Sequence, residues 1–254
     1  MTSNAVVGRL AGLAAAAGLL LALAGCHDAS SDEAFGKRVR TYLLSHPEVL
    51  SETAEKLQAK MAADAERQEA AEVRQAQARL PGLRAALERD PRDFVAHPGA
   101  PVTVSEFYDY RCPHCIAIAP QVAALARDDA SVRVVFKELP IFGALSEQAA
   151  RAALAVKVAN GDSLGFYQHL MAARNLDATL IDRLAMQSGA DPANLQEPPS
   201  AAVLAQLKAT RELFTKLRLE GTPTFIVGDQ IVIGDRLEEL RSAIAKAEAK
   251  AKRA

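Results

Sequence analysis

A change of hydrophobic pattern around Cys112 and Cys115 is the feature that most restricts the fold. The run VTVSEFY at 102–108 is typical of a buried strand, and the segment CPHCIAIAPQVAALARDD after it has one apolar face, as a helix does. SVRVVFKELP at 131–140 has the composition of a second strand, parallel to the first if the helix crosses over. The pattern predicts a strand-helix-strand unit with the cysteines at the first turn of its helix.

Further elements extend this unit into an α/β domain over residues 96–254. HPGAP marks its start as a turn, and a helix-rich stretch follows at about 146–218. TFIV, a Gly228-Asp229 turn and QIVI predict an antiparallel hairpin, and an amphipathic helix begins near Leu237. Two groups of apolar side chains are expected in the core, one in the sheet and one on a helix: Phe107, Val134, Phe136, Phe225 and Ile231, and Phe166, Tyr167 and Leu170.

The first 25 residues predict an export signal. Arg9 is their only charge, and the Ala/Leu/Gly run after it is shorter than the roughly 20 apolar residues that a spanning helix needs. The run ends in Leu-Ala-Gly-Cys26, which resembles the lipobox of bacterial lipoproteins, so Cys26 is predicted to be lipidated. Cleavage after an A-x-A pattern is the alternative, and both interpretations predict export to a compartment where disulfides persist.

Residues 33–95 have a helix-favouring composition, and a helical arm is predicted over residues 26–95. A capping box in SHPE at 45–48 indicates the start of a new helix, and LPG at 80–82 indicates a break. The stretch between them has almost no large apolar residue, so it is a spacer or an assembly helix. Apolar side chains on both sides of this stretch favour a homo-oligomer, although they form no sustained heptad. They are Phe35, Val39, Tyr42, Leu43, Leu50, Leu57, Met61, Leu80, Leu83 and Leu87.

The spacing of the two cysteines predicts a redox dithiol. Pro113 suits the first helical turn, and the free N–H groups there stabilise a thiolate on Cys112. Cys115 lies one turn on, on the same helix face, and can resolve a mixed disulfide at Cys112. Arg111 and His114 add positive potential, which favours the reduced thiolate and makes the disulfide a stronger oxidant.

Other uses of two cysteines fit the sequence less well. A closed zinc site needs four ligands, and the chain has no second C-x-x-C and no H-x3-5-H. A structural disulfide across so short a loop gains little entropy. Binding of Cu(I) by the two thiolates and His114 stays open as an alternative. The nearly even balance of 30 Lys and Arg against 31 Asp and Glu gives no indication of a nucleic-acid site. No metal or cofactor is predicted.

EFYDYRCPHC, followed far downstream by GTPTFIV, resembles the DsbA-like branch of the thioredoxin superfamily. The resemblance covers about residues 95–250 and implies a thioredoxin-like fold with a helical insertion. It implies that Cys112 is the nucleophile, Cys115 the resolving cysteine, and Pro113 with His114 the dipeptide that tunes them.

The same resemblance assigns three further residues. Thr222 and Pro223 correspond to the residues before and at a cis-proline that faces the dithiol, where an extended substrate strand can pair with the backbone. Glu106 corresponds to a buried acid that exchanges a proton with the resolving thiol. By alternation alone Glu106 could instead be exposed. Lys137 and Glu138 are expected at a solvated strand end.

The helical arm is similar to that of extended, ScsC-like members, in which such an arm drives oligomerisation. We therefore predict an exported, lipid-anchored thiol:disulfide oxidoreductase on the periplasmic side of a bacterial membrane. Its partners would be unfolded or misfolded proteins with cysteines and a membrane redox protein. Oxidase activity is the first prediction, isomerase or reductase activity of an oligomer the second, and a Cu(I)-binding lipoprotein the third.

Overall fold

The computed structural model describes residues 29–196 and 198–253. The predicted signal sequence and Cys26 lie outside the described residues. The chain forms a mixed α/β fold with a helical N-terminal segment, as predicted.

Eight α-helices and a short 3₁₀ helix are present in the described residues. The α-helices are α1 (Ala29–Ser45), α2 (Pro47–Glu88), α3 (Pro113–Asp128), α4 (Ala144–Val158), α5 (Ser163–Met171), α6 (Ala178–Gln187), α7 (Ala201–Leu217) and α8 (Leu237–Ala251), and the 3₁₀ helix is Pro192–Leu195. The strands are β1 (Phe94–Ala96), β2 (Val102–Tyr108), β3 (Val132–Glu138), β4 (Thr224–Val227) and β5 (Gln230–Ile233).

The strands form one sheet in the order β1-β3-β2-β4-β5. Strands β2 and β3 are parallel, as α3 crosses over between them, and the other neighbours are antiparallel. Glu106 in the central strand β2 lies between Phe136 of β3 and Phe225 of β4. The two predicted strands, their parallel pairing and the terminal hairpin are confirmed.

Both faces of the sheet are covered, which explains why β2 and β3 are almost continuously buried. One face packs against α3, α8 and the insertion helices α4, α5 and α6. The opposite face packs against the last turns of α2 and the end of α7. The side chains predicted for the sheet core and the helical core are all buried.

Strand β1 was not predicted, because its three residues follow a long helix-favouring segment. It pairs antiparallel with β3, with Phe94 beside Phe136 and their rings stacked 5.0 Å apart. The turn of the HPGAP segment then leads the chain into β2. A strand of three residues is too short to show a hydrophobic pattern in the sequence, so this edge strand could not be recognised there.

The predicted break at LPG is wrong, because α2 continues through Pro81 to Glu88. Leu80 and Leu87 are fully buried against the sheet, so assigning them to an assembly surface is also wrong. Apolar contact with the sheet, which the local sequence does not reveal, stabilises these last turns despite the missing N–H of the proline.

The C-terminal end of α2 is held by side chains from the sheet. Lys137 Nζ donates to the Ala86 carbonyl at 2.7 Å, and Arg133 donates to the Glu88 carbonyl at 2.6 Å. The last carbonyls of a helix lack intrahelical donors and carry partial negative charge, so cationic donors suit them. The sheet therefore caps this helix from strand β3.

The start of α2 at Pro47 agrees with the predicted new helix, but the capping box is not formed as predicted. The Ser45 hydroxyl donates to the carbonyls of Thr41 and Tyr42, in the helix before it. Ser45 therefore closes α1 instead of capping α2 through its side chain.

Contacts divide the described chain into two compact units, with the boundary between Glu66 and Arg67 inside α2. In the first unit several large apolar side chains are exposed, among them Phe35, Tyr42, Leu57 and Met61. Across residues 29–196 and 198–253, every helix is too short or too polar to cross a membrane.

Candidate active site

Cys112 lies at the junction of the β2 loop and helix α3. Its backbone is extended, with φ −73° and ψ 120°, and Pro113 is the first residue of the helix. Its Sγ atom lies 3.1 Å from the Thr222 carbonyl oxygen, to which the thiol donates. The sulfur therefore lies at the N-terminus of α3 and against the loop that holds Thr222.

Cys115 lies one helical turn further on and is fully buried. Both cysteines are free thiols in this structure. Burial raises the pKa of the Cys115 thiol, and the nearby carboxyl of Glu106 raises it further. Cys115 therefore needs a proton whenever its sulfur is released from a disulfide.

Glu106 is a buried carboxyl near Cys115. It lies in the middle of β2 with no exposed surface, and the Tyr167 hydroxyl donates to both of its oxygens at 3.4 Å. Burial raises the pKa of Glu106 from 4.5 to about 8, and the bond from Tyr167 only partly opposes that shift. A carboxyl with this pKa can gain or lose a proton near neutral pH.

Thr222 and Pro223 precede strand β4 and are joined by a cis peptide bond. The Thr222 carbonyl accepts the bond from Cys112, and the Pro223 carbonyl accepts a bond from Gly234 N at 2.8 Å. The Thr222 hydroxyl is buried near Cys115, where it partly opposes the rise in the pKa of that thiol. The loop before β4 therefore lies directly against the nucleophile candidate.

The two basic residues around Cys112 have different environments. His114 is mostly exposed, and its Nδ1 lies 3.2 Å from Asp235 Oδ1. The Arg111 guanidinium donates to the main-chain carbonyl of Phe142, in the loop after β3. The seven described site candidates lie in one region: Cys112, Pro113, His114 and Cys115 follow the carboxyl end of β2, Glu106 lies within β2, and Thr222 and Pro223 face Cys112.

The prediction that Lys137 and Glu138 form a solvated strand end is wrong, because both are buried on opposite faces of the sheet. Lys137 forms an ion pair with Asp93, which is also buried. The Tyr108 hydroxyl donates to Glu138 Oε1, and Tyr110 donates to the same oxygen at 3.3 Å.

Glu138 was therefore missed as a second buried acid on the face of Glu106. Burial raises its pKa well above the usual range, with Asp109 and Glu106 adding to the shift. Glu138 pairs with Tyr108 across the parallel strands, two positions beyond Glu106. The predicted parallel pairing of the two strands could have revealed this, because residues two positions apart along a strand lie on the same face of the sheet.

Asp109 was not singled out from the sequence, although it is buried and accepts four hydrogen bonds near Cys112. Its position after the strand, in a loop segment, gave no indication of burial. Within residues 29–196 and 198–253, no three His, Cys, Asp or Glu side chains are grouped so that they could hold a metal ion.

Comparison with protein families gives two matches. A model described as a DSBA-like thioredoxin domain matches residues 103–245, which is more than half of the chain. A model described as the copper resistance protein ScsC N-terminal domain matches residues 33–64.

Two solved structures are similar to this chain. Proteus mirabilis ScsC in a transitional conformation is 27% identical with a TM-score of 0.62, and the match covers 88% of this chain and 97% of that one. A thioredoxin-like oxidoreductase from Silicibacter pomeroyi is 36% identical with a TM-score of 0.60, over 65% of this chain and 98% of that one.

A curated relative is the Na⁺/H⁺ antiporter NhaA 3 of Salinispora tropica, 32% identical over 180 residues. The match covers 64% of this chain but only 26% of the antiporter, so the chain spans about a quarter of the length of that relative. The family match over residues 103–245 and the arrangement of Cys112, Cys115 and the cis bond at Pro223 lead to one assignment. The chain belongs to the DsbA-like thioredoxin-domain family and also has an N-terminal segment of the ScsC type.

Proposed function

We propose that this chain is an exported thiol:disulfide oxidoreductase that forms disulfides in cysteine-containing proteins. The main supporting observation is the asymmetry of its dithiol. Both cysteines are buried, but Cys112 lies at the N-terminus of α3 against the Thr222 carbonyl, whereas Cys115 lies one turn further on near Glu106, whose pKa is raised to about 8. One sulfur is placed to leave as a thiolate and the other to take up a proton.

The exchange begins with Cys112 and Cys115 joined as a disulfide. A substrate thiolate attacks Cys112 Sγ, forms a mixed disulfide and breaks the bond to Cys115. The electron pair of that bond goes to the Cys115 sulfur, which takes a proton from Glu106. Because burial disfavours a thiolate on Cys115, this proton transfer lowers the energy of the products.

In the second step another substrate thiolate attacks the substrate sulfur in the mixed disulfide. The substrate disulfide forms, and Cys112 leaves as a thiolate at the N-terminus of α3. Two electrons have then moved from the substrate to the protein. A membrane redox partner would reoxidise the dithiol.

Thr222 and Pro223 are the proposed substrate-binding residues. The loop that holds them contacts Cys112, so an extended chain that pairs with it would bring a cysteine to the nucleophile. The remaining roles follow the sequence analysis: Pro113 and His114 tune the dithiol.

The reduction potential of the Cys112–Cys115 disulfide, measured on the full chain in glutathione buffers, tests the direction of the reaction. A potential near about −120 mV supports an oxidase, and one at or below about −180 mV supports an isomerase or reductase. Cys112→Ala should abolish exchange with reduced substrates. Retention of full exchange activity by that variant would disprove the mechanism.

An oligomeric isomerase is the second candidate, and a specific observation favours it. Phe35, Tyr42, Leu50, Leu57 and Met61 are each more than half exposed in the first unit, which also carries the ScsC-type match. Exposed apolar side chains in such number favour contact with other copies of the chain. Sedimentation equilibrium of the protein and of Leu57→Ser/Met61→Ser would show whether the assembly depends on these residues.

Export and lipid anchoring at Cys26 stay proposals, as does the division into residues 1–25, 26–95 and 96–254. Incorporation of labelled fatty acid into the wild type but not into Cys26→Ser would support an anchor on the periplasmic side of the membrane. The Cu(I) alternative predicts tight binding of Cu(I) with little thiol exchange, which a Cu(I) titration beside the exchange assay would test.

A further inference from the structure

The loop that holds Thr222 and Pro223 connects Cys112 to residues 234–236, a short segment between β5 and α8. Cys112 Sγ donates to the Thr222 carbonyl at 3.1 Å, and the Pro223 carbonyl accepts from Gly234 N at 2.8 Å. One loop thus contacts the nucleophile candidate on one side and segment 234–236 on the other.

The next residue of this segment, Asp235, contacts the histidine between the two cysteines. Its Oδ1 atom lies 3.2 Å from Nδ1 of His114, two residues after Cys112 in the chain. An ionised carboxylate can only accept a hydrogen bond, so the proton of this bond is carried by Nδ1 and points towards Asp235. The Nδ1–H donor of His114 is therefore used by Asp235.

The backbone at Asp235 is held from both sides. Its carbonyl accepts from Leu237 N at 2.9 Å, at the start of α8. Arg236 donates to both carboxylate oxygens of Glu69 on α2, at 2.7 and 2.8 Å. Gly234 has φ +81°, a conformation that residues with a side chain rarely adopt. Asp235 therefore has a fixed position, although its side chain is 43% exposed.

The bond between Asp235 and His114 affects the reduced form of the dithiol. A hydrogen-bond donor or a positive charge beside Cys112 stabilises the thiolate that forms on reduction, and a negative charge destabilises it. A His114 ring that donates to Asp235 from Nδ1 cannot donate to the sulfur from that atom. The carboxylate also adds a negative charge to the same region. Both effects disfavour the reduced form.

We propose that Asp235 is a positioning residue that binds the imidazole of His114 through Nδ1 and thereby makes the Cys112–Cys115 disulfide a weaker oxidant. The driving force for oxidation of a substrate then depends on a residue 121 positions after His114, which the C-x-x-C motif does not reveal. This inference rests on the proposed thiol:disulfide exchange and concerns how strongly that reaction is driven.

The test is the equilibrium constant for reduction of the disulfide by glutathione, measured on the full chain. Asp235→Ala removes both the negative charge and the acceptor for Nδ1. We expect the constant to rise about tenfold, since a hydrogen bond to a charged group and a nearby charge have effects of this order. A tenfold rise corresponds to a potential about 30 mV higher. An unchanged or smaller constant would overturn the proposal.

Asp235→Asn separates the charge from the hydrogen bond. Asparagine keeps an oxygen that can accept from Nδ1 but carries no charge, so we expect a rise of only about threefold. The two side chains are substantially exposed, so about 1 M salt should remove most of this smaller change. The further rise in Asp235→Ala should persist in salt. Equal constants in the two variants would disprove the role of the hydrogen bond.

His114→Gln shows whether Asp235 acts through the histidine. In that background only the charge of Asp235 is left to act, so His114→Gln/Asp235→Ala should exceed His114→Gln by about threefold or less. A tenfold rise in the absence of the histidine would contradict the proposal, because Asp235 would then act on the dithiol by another route.

Glu238→Gln is the matched control. Glu238 is an exposed acid three residues after Asp235, and it pairs with Arg241 of the same helix at 2.8 Å. Its replacement should change the constant by less than about 1.5-fold, because exposed pairs contribute little. A rise equal to that of Asp235→Ala would mean that the loss of any acid near the start of α8 has the same effect, and the specific role of Asp235 would be wrong.

The same assay distinguishes failure of this inference from failure of the proposed function. If the wild type does not exchange disulfides with glutathione, the proposed function fails. If it does exchange them, but Asp235→Ala and Asp235→Asn both keep the wild-type constant, only this inference fails. Urea denaturation would verify that both variants are folded.

Discussion

The two faces of the central sheet bury acidic side chains in different ways. On the face that carries α3, Glu106 and Glu138 receive hydrogen bonds from tyrosine hydroxyls, and burial raises the pKa of both. On the opposite face burial also raises the pKa of Asp93, but this carboxyl is paired with the ammonium group of Lys137, which opposes the shift.

The comparison separates buried acids that can exchange a proton from a buried ion pair that stabilises the fold. Glu106, whose pKa is about 8, can change its protonation state near neutrality, whereas an ion pair such as Lys137–Asp93 resists a change of charge. The face with unpaired acids is the one that carries the dithiol. The face with the ion pair fixes the end of α2, since Lys137 also donates to the Ala86 carbonyl.

Breaking the ion pair should have the largest effect on stability. In Lys137→Met the buried carboxylate of Asp93 loses its cation, and we expect a loss of about 3–5 kcal/mol in the free energy of unfolding. Urea denaturation would measure it. The double variant Lys137→Met/Asp93→Leu should recover most of the loss, and a single-variant effect below about 1 kcal/mol would contradict the distinction between the faces.

Glu106→Gln should remove a pH dependence of stability. Folded Glu106 keeps its proton up to a pKa of about 8, whereas the unfolded carboxyl loses it near 4.5, so raising the pH favours unfolding between these values. The wild type should lose about 3 kcal/mol between pH 5 and pH 8 through this residue. Denaturation curves of Glu106→Gln should be flatter over that interval. Equal slopes in the two proteins would show that Glu106 is ionised in the fold.

Tyr108→Phe removes one of the two donors to Glu138 Oε1 and should cost about 1–2 kcal/mol, because a buried oxygen loses a partner. The longer bond from Tyr110, at 3.3 Å, makes Tyr110→Phe the matched comparison, with a smaller expected loss. Thermal unfolding of both variants measures the difference. A larger loss in Tyr110→Phe would reverse the ranking of the two donors.

The smallest effect is expected for a pair outside both faces. His114 and Asp235 interact at 3.2 Å on the surface, with both side chains substantially exposed. Asp235→Asn should change the free energy of unfolding by less than about 0.5 kcal/mol. A larger change, measured by urea denaturation, would mean that this surface pair stabilises the fold in the way expected of the buried Lys137–Asp93 pair.

Local patterns in the sequence were sufficient to predict much of the fold. Strand β2 was predicted at Val102–Tyr108, where the structure has it, because its apolar run ends at a clear helix signal. The hairpin at Gly228 followed from turn residues between two short apolar runs. The candidate site came from the C-x-x-C spacing and the family resemblance, neither of which depends on distant contacts.

What was missed depends on contacts between residues far apart in the sequence. Nothing near Leu80 indicates that the sheet covers it, and nothing near Pro81 indicates that such contact preserves the helix. The buried position of Lys137 depends on Asp93, 44 residues earlier. Asp109 likewise accepts its bonds from Ile141 and Phe142 only because a segment 32 residues later in the chain returns to it.

The capping of α2 by strand β3 also has a consequence for the order in which the chain can fold. Helix α2 leaves the ribosome well before Arg133 and Lys137, whose side chains donate to its last carbonyls. It also leaves before Leu213 and Ile226, which cover its apolar side. A nascent chain therefore carries a helix end without its partners until the hairpin is complete. We expect the C-terminal end of α2 to be the part of the nascent chain that most needs a chaperone.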